Sequence, residues 1–202
     1  MEGRLRPGET LPISDLVVDL GVSHSPVREA LQRLSAQGLV VLRQARTAMI
    51  APLDRNDLQE IYRLRRLIEL DAAARAAPLL SDQDIARLGE EFNFLAEAVI
   101  DSEDFWDHHN AFHSALMAPV LTPRLQRVIT ELWDAAGRYV RVVYGETDAL
   151  FTKSPAARHQ ALLSAAQSRQ SAVVKKALSE HLRSNELEIL ASLKSIPTGG
   201  DR

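Results

Sequence analysis

The stretch Val22-Ser23-His24-Ser25-Pro26-Val27-Arg28-Glu29-Ala30-Leu31-Gln32-Arg33-Leu34, closed by Gly38-Leu39-Val40, decides how this chain is read. Ser23 is of the type that caps a helix, and Pro26 suits a first turn, where its missing N–H costs nothing. Val27, Ala30, Leu31 and Leu34 recur at helical spacing, so the spacing predicts a helix with that face in a core. His24, Ser25, Arg28 and Gln32 then turn outward. Upstream, Leu16, Val17 and Leu20 predict a shorter apolar helix that stops at Gly21, where a left-handed residue is expected. Helix, glycine turn, helix is an arrangement in which the second helix can read DNA, and one that many helical hairpins share without binding DNA. Beyond it, Leu39-Val40-Val41-Leu42 and Met49-Ile50-Ala51 predict two short strands around Arg43-Gln44-Ala45-Arg46-Thr47.

Composition bounds the rest. The 202 residues are 46% hydrophobic and 25% charged, enough for one or two compact domains and without a sign of disorder. No apolar run approaches the roughly 18–20 residues of a membrane span, and no basic, apolar leader opens the chain. No membrane association and a cytoplasmic location are expected. The absence of cysteine excludes disulfides and thiol catalysis within these residues. The net charge of −3 is unevenly spread: residues 1–53 hold six arginines against five acids, leaving −4 for the remainder. Binding to double-stranded DNA must therefore rest on a local patch. A homodimer would double that patch and set two half-sites about one helical turn apart.

From Asp54 onward the pattern is helical. Asp54 or Asn56 can cap a helix to about Ala77 with Leu58, Ile61, Leu64, Leu67 and Ile68 on one face. Ser81-Asp82-Gln83-Asp84 is a capping-box-like start for a helix to about Ile100, and Glu103 to Met117 predicts another. Thr122-Pro123 and Ser154-Pro155 each open a further helix, the first reaching about Tyr144. A sixth runs from about Ser171 to Leu193, and the tail 197–202 is expected to fray.

Five of the six histidines fall in this part. His109 and His113, four apart on one helix, place their Cβ atoms about 5–6 Å from each other on one face, a spacing that lets two imidazoles share a metal. His159 and His181 would be about 33 Å apart on one continuous helix, so they must sit on different helices to meet. The polar stretch Gln167-Ser168-Arg169-Gln170-Ser171 lies midway, and an antiparallel hairpin folded there brings both to one height. Whether they face each other depends on helix phase, which Leu162, Leu163, Val174, Ala177 and Leu178 permit. Core histidines bonded to carbonyls, or surface histidines, are the alternative reading. His108 is expected to be exposed. Arg65, four before Glu69, reads as an ordinary helix pair. Trp106, Trp133 and Tyr139 could line a pocket, and Arg138 and Arg141 with Tyr144 could hold an anion.

Gly21 to Leu31, with Arg4-Leu5-Arg6-Pro7-Gly8-Glu9-Thr10-Leu11 before it, resembles the N-terminal domain of the GntR family of bacterial repressors. Tyr62-Arg63-Leu64-Arg65 with Glu69, Phe112-His113 with Leu116, and His159 followed by Ala177 and His181-Leu182 resemble the FCD-type, FadR-like branch of that family. The resemblance implies a mostly α protein: a winged helix-turn-helix with a small β wing over residues 1–53, then an all-helical bundle of about six helices over 54–196 that binds effector and forms the dimer. It implies DNA contacts from Ser23, His24, Ser25, Arg28, Gln32 and Arg46.

In the bundle the resemblance implies one divalent transition metal per chain, held by His113, His159 and His181, with open positions for a small organic acid. His109 stands where the family usually has Asp, and an all-imidazole set suits zinc, nickel, copper or iron(II), zinc or nickel foremost, better than magnesium. Arg65 is implied as an effector-binding residue, and Arg138, by its place beside Arg141 and Tyr144, is a candidate for the same role or part of a solvated face. Three departures accompany the resemblance. His24 replaces a usual Arg, exchanging a fork that is charged at any pH for a ring whose charge fades above about pH 6.5. Ile13-Ser14-Asp15 replaces a usual Glu-Arg-Glu. Thr47 replaces a usual Gly at the wing tip, where a β-branched residue disfavours positive φ. The chain also starts almost directly on the loop that a further helix usually precedes, so that helix is expected to be missing or truncated. The function so implied is a ligand-responsive transcription regulator. A metal- or ligand-binding protein with weakened DNA binding and a histidine-metal hydrolase are the competing functions.

Overall fold

Helix α1 (Ile13–Leu20) ends at Gly21, whose φ of 63° is the left-handed stop that glycine adopts without strain. Helix α2 (His24–Ala36) follows with Ser23 at its cap position, although the Ser23 side chain makes no capping hydrogen bond. The computed structural model describes residues 5–43, 46–97, 103–146 and 155–193. The expectations for the 197–202 tail and for Tyr144 lie outside the described residues and side chains. Strands β1 (Thr10–Pro12), β2 (Val40–Arg43) and β3 (Thr47–Ile50) form an antiparallel sheet in the order β1-β3-β2. Val40 pairs with Ile50, and Leu11 with Ala48. Strand β1, three residues closed by a proline, was not foreseen.

Ile13, Val27, Leu31, Val40 and Ala48 form the core of this small unit, with Leu16, Val17 and Ile50 packed against it. Helix α2 buries only Val27 and Leu31, one i,i+4 stripe. Ala30 and Leu34, expected in the core, are exposed, because two short helices and three short strands leave only that stripe covered. Thr47 settles in strand β3, where its hydroxyl donates to the Arg43 carbonyl at 2.8 Å. Among the described residues only Arg169 departs from negative φ without being glycine, so the β-branched Thr47 closes the wing in ordinary extended backbone.

The chain divides near residue 55 into two compact units. In the second, α3 (Arg55–Ala76), α4 (Asp82–Glu97), α5 (Glu103–Met117), α6 (Pro123–Glu146), α7 (Pro155–Ser168) and α8 (Ser171–Ser192) form the six-helix bundle. Ser81 and Asp84 make the reciprocal cap of α4: the Asp84 carboxylate accepts from the Ser81 N–H at 2.8 Å, and Ser81 Oγ accepts from the Asp84 N–H at 3.1 Å. Helix α4 packs on α5 and α7, and α7 packs on α8. The reversal between α7 and α8 turns on Arg169 at φ 53°, and it sets the two helices antiparallel.

Helix α3 departs from its expected stripe. Leu67 is 61% exposed, whereas Leu58, Ile61, Tyr62, Arg65, Glu69, Ala72, Ala73 and Ala76 are buried. The inward face runs through Arg65 and Glu69 because they neutralise each other, Nε donating to Oε1 at 2.7 Å. An apolar-only template cannot place such a pair inside.

Candidate functional site

Helices α5, α7 and α8 each deliver histidine to one point. His109 and His113 come from successive turns of α5, His159 from α7 and His181 from α8, and one ring nitrogen of each lies within 4.8 Å of the others. Ring centroids are 4.6 Å apart for His109 and His113, 5.1 Å for His113 and His181, and 4.9 Å for His159 and His181. His113, His159 and His181 are buried and His109 is half-buried. The helix phase left open by the sequence thus turns His159 and His181 toward each other.

Among the described residues neither ring nitrogen of His113, which is wholly buried, has a hydrogen-bond partner, nor has Nδ1 of His181. An unsatisfied buried polar group costs about 1–3 kcal/mol, which is more than a core retains without cause. Four imidazoles gathered at one point, with partnerless nitrogens on His113 and His181, are a borderline donor set that would suit a transition ion. Burial, then the neighbouring histidines and Arg65, holds the pKa of His109, His113 and His181 well below the usual 6.5. These rings are therefore neutral near pH 7, as ligation requires.

A pH dependence follows. The unfolded chain takes up protons on these histidines near pH 6.5, the folded chain only well below that, so between the two the unfolded state binds more protons and stability rises with pH. In metal-free protein the urea midpoint is expected to be level from pH 8 to 7 and to fall as pH drops below about 6.5. A flat midpoint down to pH 5 would contradict burial of neutral rings.

Beside the cluster lies a cavity of about 70 Å³, and His109 and His159 form part of its wall. Tyr62, Phe105, Trp106 and Trp133 supply aromatic surface, while Arg65, Arg141 and Arg158 supply cations. Arg65 is 4.9 Å above the Tyr62 ring; burial opposes its charge, but Glu69 and Tyr62 outweigh this and keep it protonated. Arg158 is 2.7 Å from Glu188 and donates to Asn185 at 3.1 Å, and Asn185 in turn lies 3.3 Å from Nε2 of His181. With Oδ1 accepting from Arg158, the Asn185 amide N–H faces Nε2 of His181, which accepts, and this contact fixes the orientation of the ring.

Arg138 lies elsewhere: it pairs with Asp57 at 3.0 Å and is not among the cavity-lining residues. Tyr139 donates to the same carboxylate at 2.5 Å and is likewise outside the wall. His108, expected to be exposed, is half-buried, stacked on Phe94 at 4.1 Å and 2.7 Å from Glu91. Its neighbour helix α4 covers it, which a single-helix reading cannot foresee. Asn185, Arg158 and Glu69 were missed as site residues. The only hint was their spacing, since Asn185 lies four after His181 and Arg158 beside His159.

In the N-terminal unit Ser23, His24, Ser25, Arg28 and Gln32 are exposed at the start and on the outer face of α2, and Arg46 is exposed beside β3. Ser25 donates to Glu29 at 3.3 Å.

A winged helix-turn-helix joined to a six-helix bundle with inward histidines is the build of a bacterial DNA-binding regulator with an effector domain. Residues 60–184 match the FCD domain and residues 1–50 match the bacterial regulatory proteins of the gntR family, so the chain belongs to the FCD-bearing GntR regulators. It is 29% identical to the HTH-type transcriptional regulator McbR of Escherichia coli K12 over 91% of this chain and 84% of that one. It is 28% identical to the HTH-type transcriptional repressor GlaR of the same organism over 90% and 86%.

Among solved structures, E. coli McbR/YncC superposes with a TM-score of 0.75 at 27% identity, covering 95% of this chain and 91% of that one. A GntR regulator from Rhodococcus sp. RHA1 does so at 0.76 and 26%, covering 94% and 90%. The matched families and relatives are transcription regulators, not enzymes. No helix among the described residues is long and apolar enough to cross a membrane.

Proposed function

We propose that this regulator acts as a homodimer on operator DNA as a repressor, and that a small carboxylate bound beside one transition ion per chain, zinc or nickel, controls it. The observation that carries this reading is the convergence of His109, His113, His159 and His181 on one point. When bound, the ion supplies a Lewis-acidic positive charge for a carboxylate. The chain's own residues hold the rings of His109, His113 and His181 neutral, orient His181 through Asn185 and Arg158, and line the adjoining space with Arg65. A ligand shifts DNA affinity only in so far as it binds two arrangements of the protein unequally.

Metal analysis of purified protein is expected to find about one transition ion per chain, and its absence would remove the metal from this reading. A gel-shift with the chain's own upstream DNA is expected to retard the fragment at low salt. No retardation would overturn the regulator assignment for this chain.

Ser23, His24, Ser25, Arg28, Gln32 and Arg46 are the proposed DNA contacts, the outward face of α2 and the wing. Arg28→Ala is expected to lower operator affinity relative to random DNA by about 1–3 kcal/mol, roughly 5- to 150-fold. A variant that weakens both DNAs equally would place Arg28 on phosphate instead of a base.

A further inference from the structure

Resting on the reading that the cavity beside the histidine cluster is the effector site, we propose that it selects a planar monocarboxylate with an apolar body, an arenecarboxylate in the simplest case. Trp106 and Trp133 are the side chains that set this preference. Four of the lining residues are aromatic, and Val140 and Ile189 extend the apolar wall. A hydroxylated aliphatic acid would press hydroxyls against ring faces that offer them no partner, whereas a flat ring stacks there.

The charges admit a single carboxylate. Arg65 is neutralised by Glu69 and Arg158 by Glu188. Arg141 lies 5.1 Å over the Trp106 ring and, among the described residues, has no carboxylate partner. Asp134 shares the wall, so a second carboxylate meets a like charge. Trp133 is 6% exposed and its buried indole N–H has no partner among the described residues. An indole N–H can only donate, so its natural complement is a ligand oxygen. The cavity of about 70 Å³ is about half the roughly 150 Å³ that encloses a benzene ring, so a single-ring acid fills it and leaves part of its ring in the open mouth, where Asp134 and Arg141 are exposed.

The chain's two tryptophans both line this cavity, so intrinsic fluorescence reads it directly. Zinc-loaded full-length protein is titrated with benzoate and with malate, followed by fluorescence and calorimetry. Benzoate is expected to quench and to bind at least about tenfold tighter than malate, and Trp133→Leu is expected to bring the two within about threefold while zinc per chain is unchanged. Trp106→Leu serves if Trp133→Leu loses its helical circular dichroism.

Malate binding as tightly as benzoate, no benzoate binding to zinc-loaded protein, or an unchanged ratio in the folded variant overturns the inference alone. Wild-type protein that takes up no zinc overturns the underlying site as well.

Discussion

His113→Ala is expected to abolish stoichiometric metal binding. Substituting an outer partner of a ligand typically costs 10- to 100-fold in metal affinity, so deleting a ring at the buried centre of four is expected to cost at least about 100-fold. At free zinc about 100 times the wild-type dissociation constant, binding adds about 2.7 kcal/mol of stability to wild type and only about 0.4 kcal/mol to the variant. The measurement is thermal unfolding with zinc and with chelator. Wild type is expected to melt several degrees higher with zinc, the variant nearly the same in both.

The chelator arm separates ligation from packing. A ring with both nitrogens unsatisfied in the core contributes little in the metal-free state, so removing it there is expected to be mild. A variant that binds zinc like wild type, or that collapses equally with and without zinc, would make His113 a core histidine and nothing more.

The second large effect is expected at the Arg65–Glu69 pair, whose side chains are 5% and 0% exposed. Glu69→Gln leaves the guanidinium without its counter-charge, and breaking a buried pair in this way costs about 3–5 kcal/mol. The lower end is expected, because Arg65 lines the cavity, where water can solvate it. Urea unfolding checks this, and a loss under about 1 kcal/mol would show that the pair behaves as a surface pair. The same replacement also leaves an unpaired cation in the cavity wall.

Arg65 and Glu69 show how far a sequence carries and where it stops. Their i,i+4 spacing was legible, and on spacing alone the pair is worth a few tenths of a kcal/mol. Its burial comes from neighbouring helices, and burial is what raises the effect about tenfold. The recognition helix was legible almost to the residue because its signals are local: Ser23 before it, Pro26 in its first turn and Gly21 ending the helix upstream. Glu103–Met117 and the break at 169–170 were legible for the same reason. Strand β1 was not, because three residues ending in Pro12 carry no alternation, and only pairing with β3 makes them a strand. Leu67 falls outside the buried stripe because Arg65 and Glu69 occupy the inward face of α3, which hydrophobicity alone does not assign to charged residues.

For this protein, the amino-acid order by itself determined the helix-turn-helix, the all-helical second part and the four histidines worth watching, since caps, turns and periodicity act within a few residues. Tertiary packing alone decided that those rings converge, that Arg138 turns to Asp57 while Arg65 turns to the cavity, and that His108 is covered by its neighbour. Those outcomes depend on the rotation of one helix about its axis against another, which many weak contacts distributed along the chain set together.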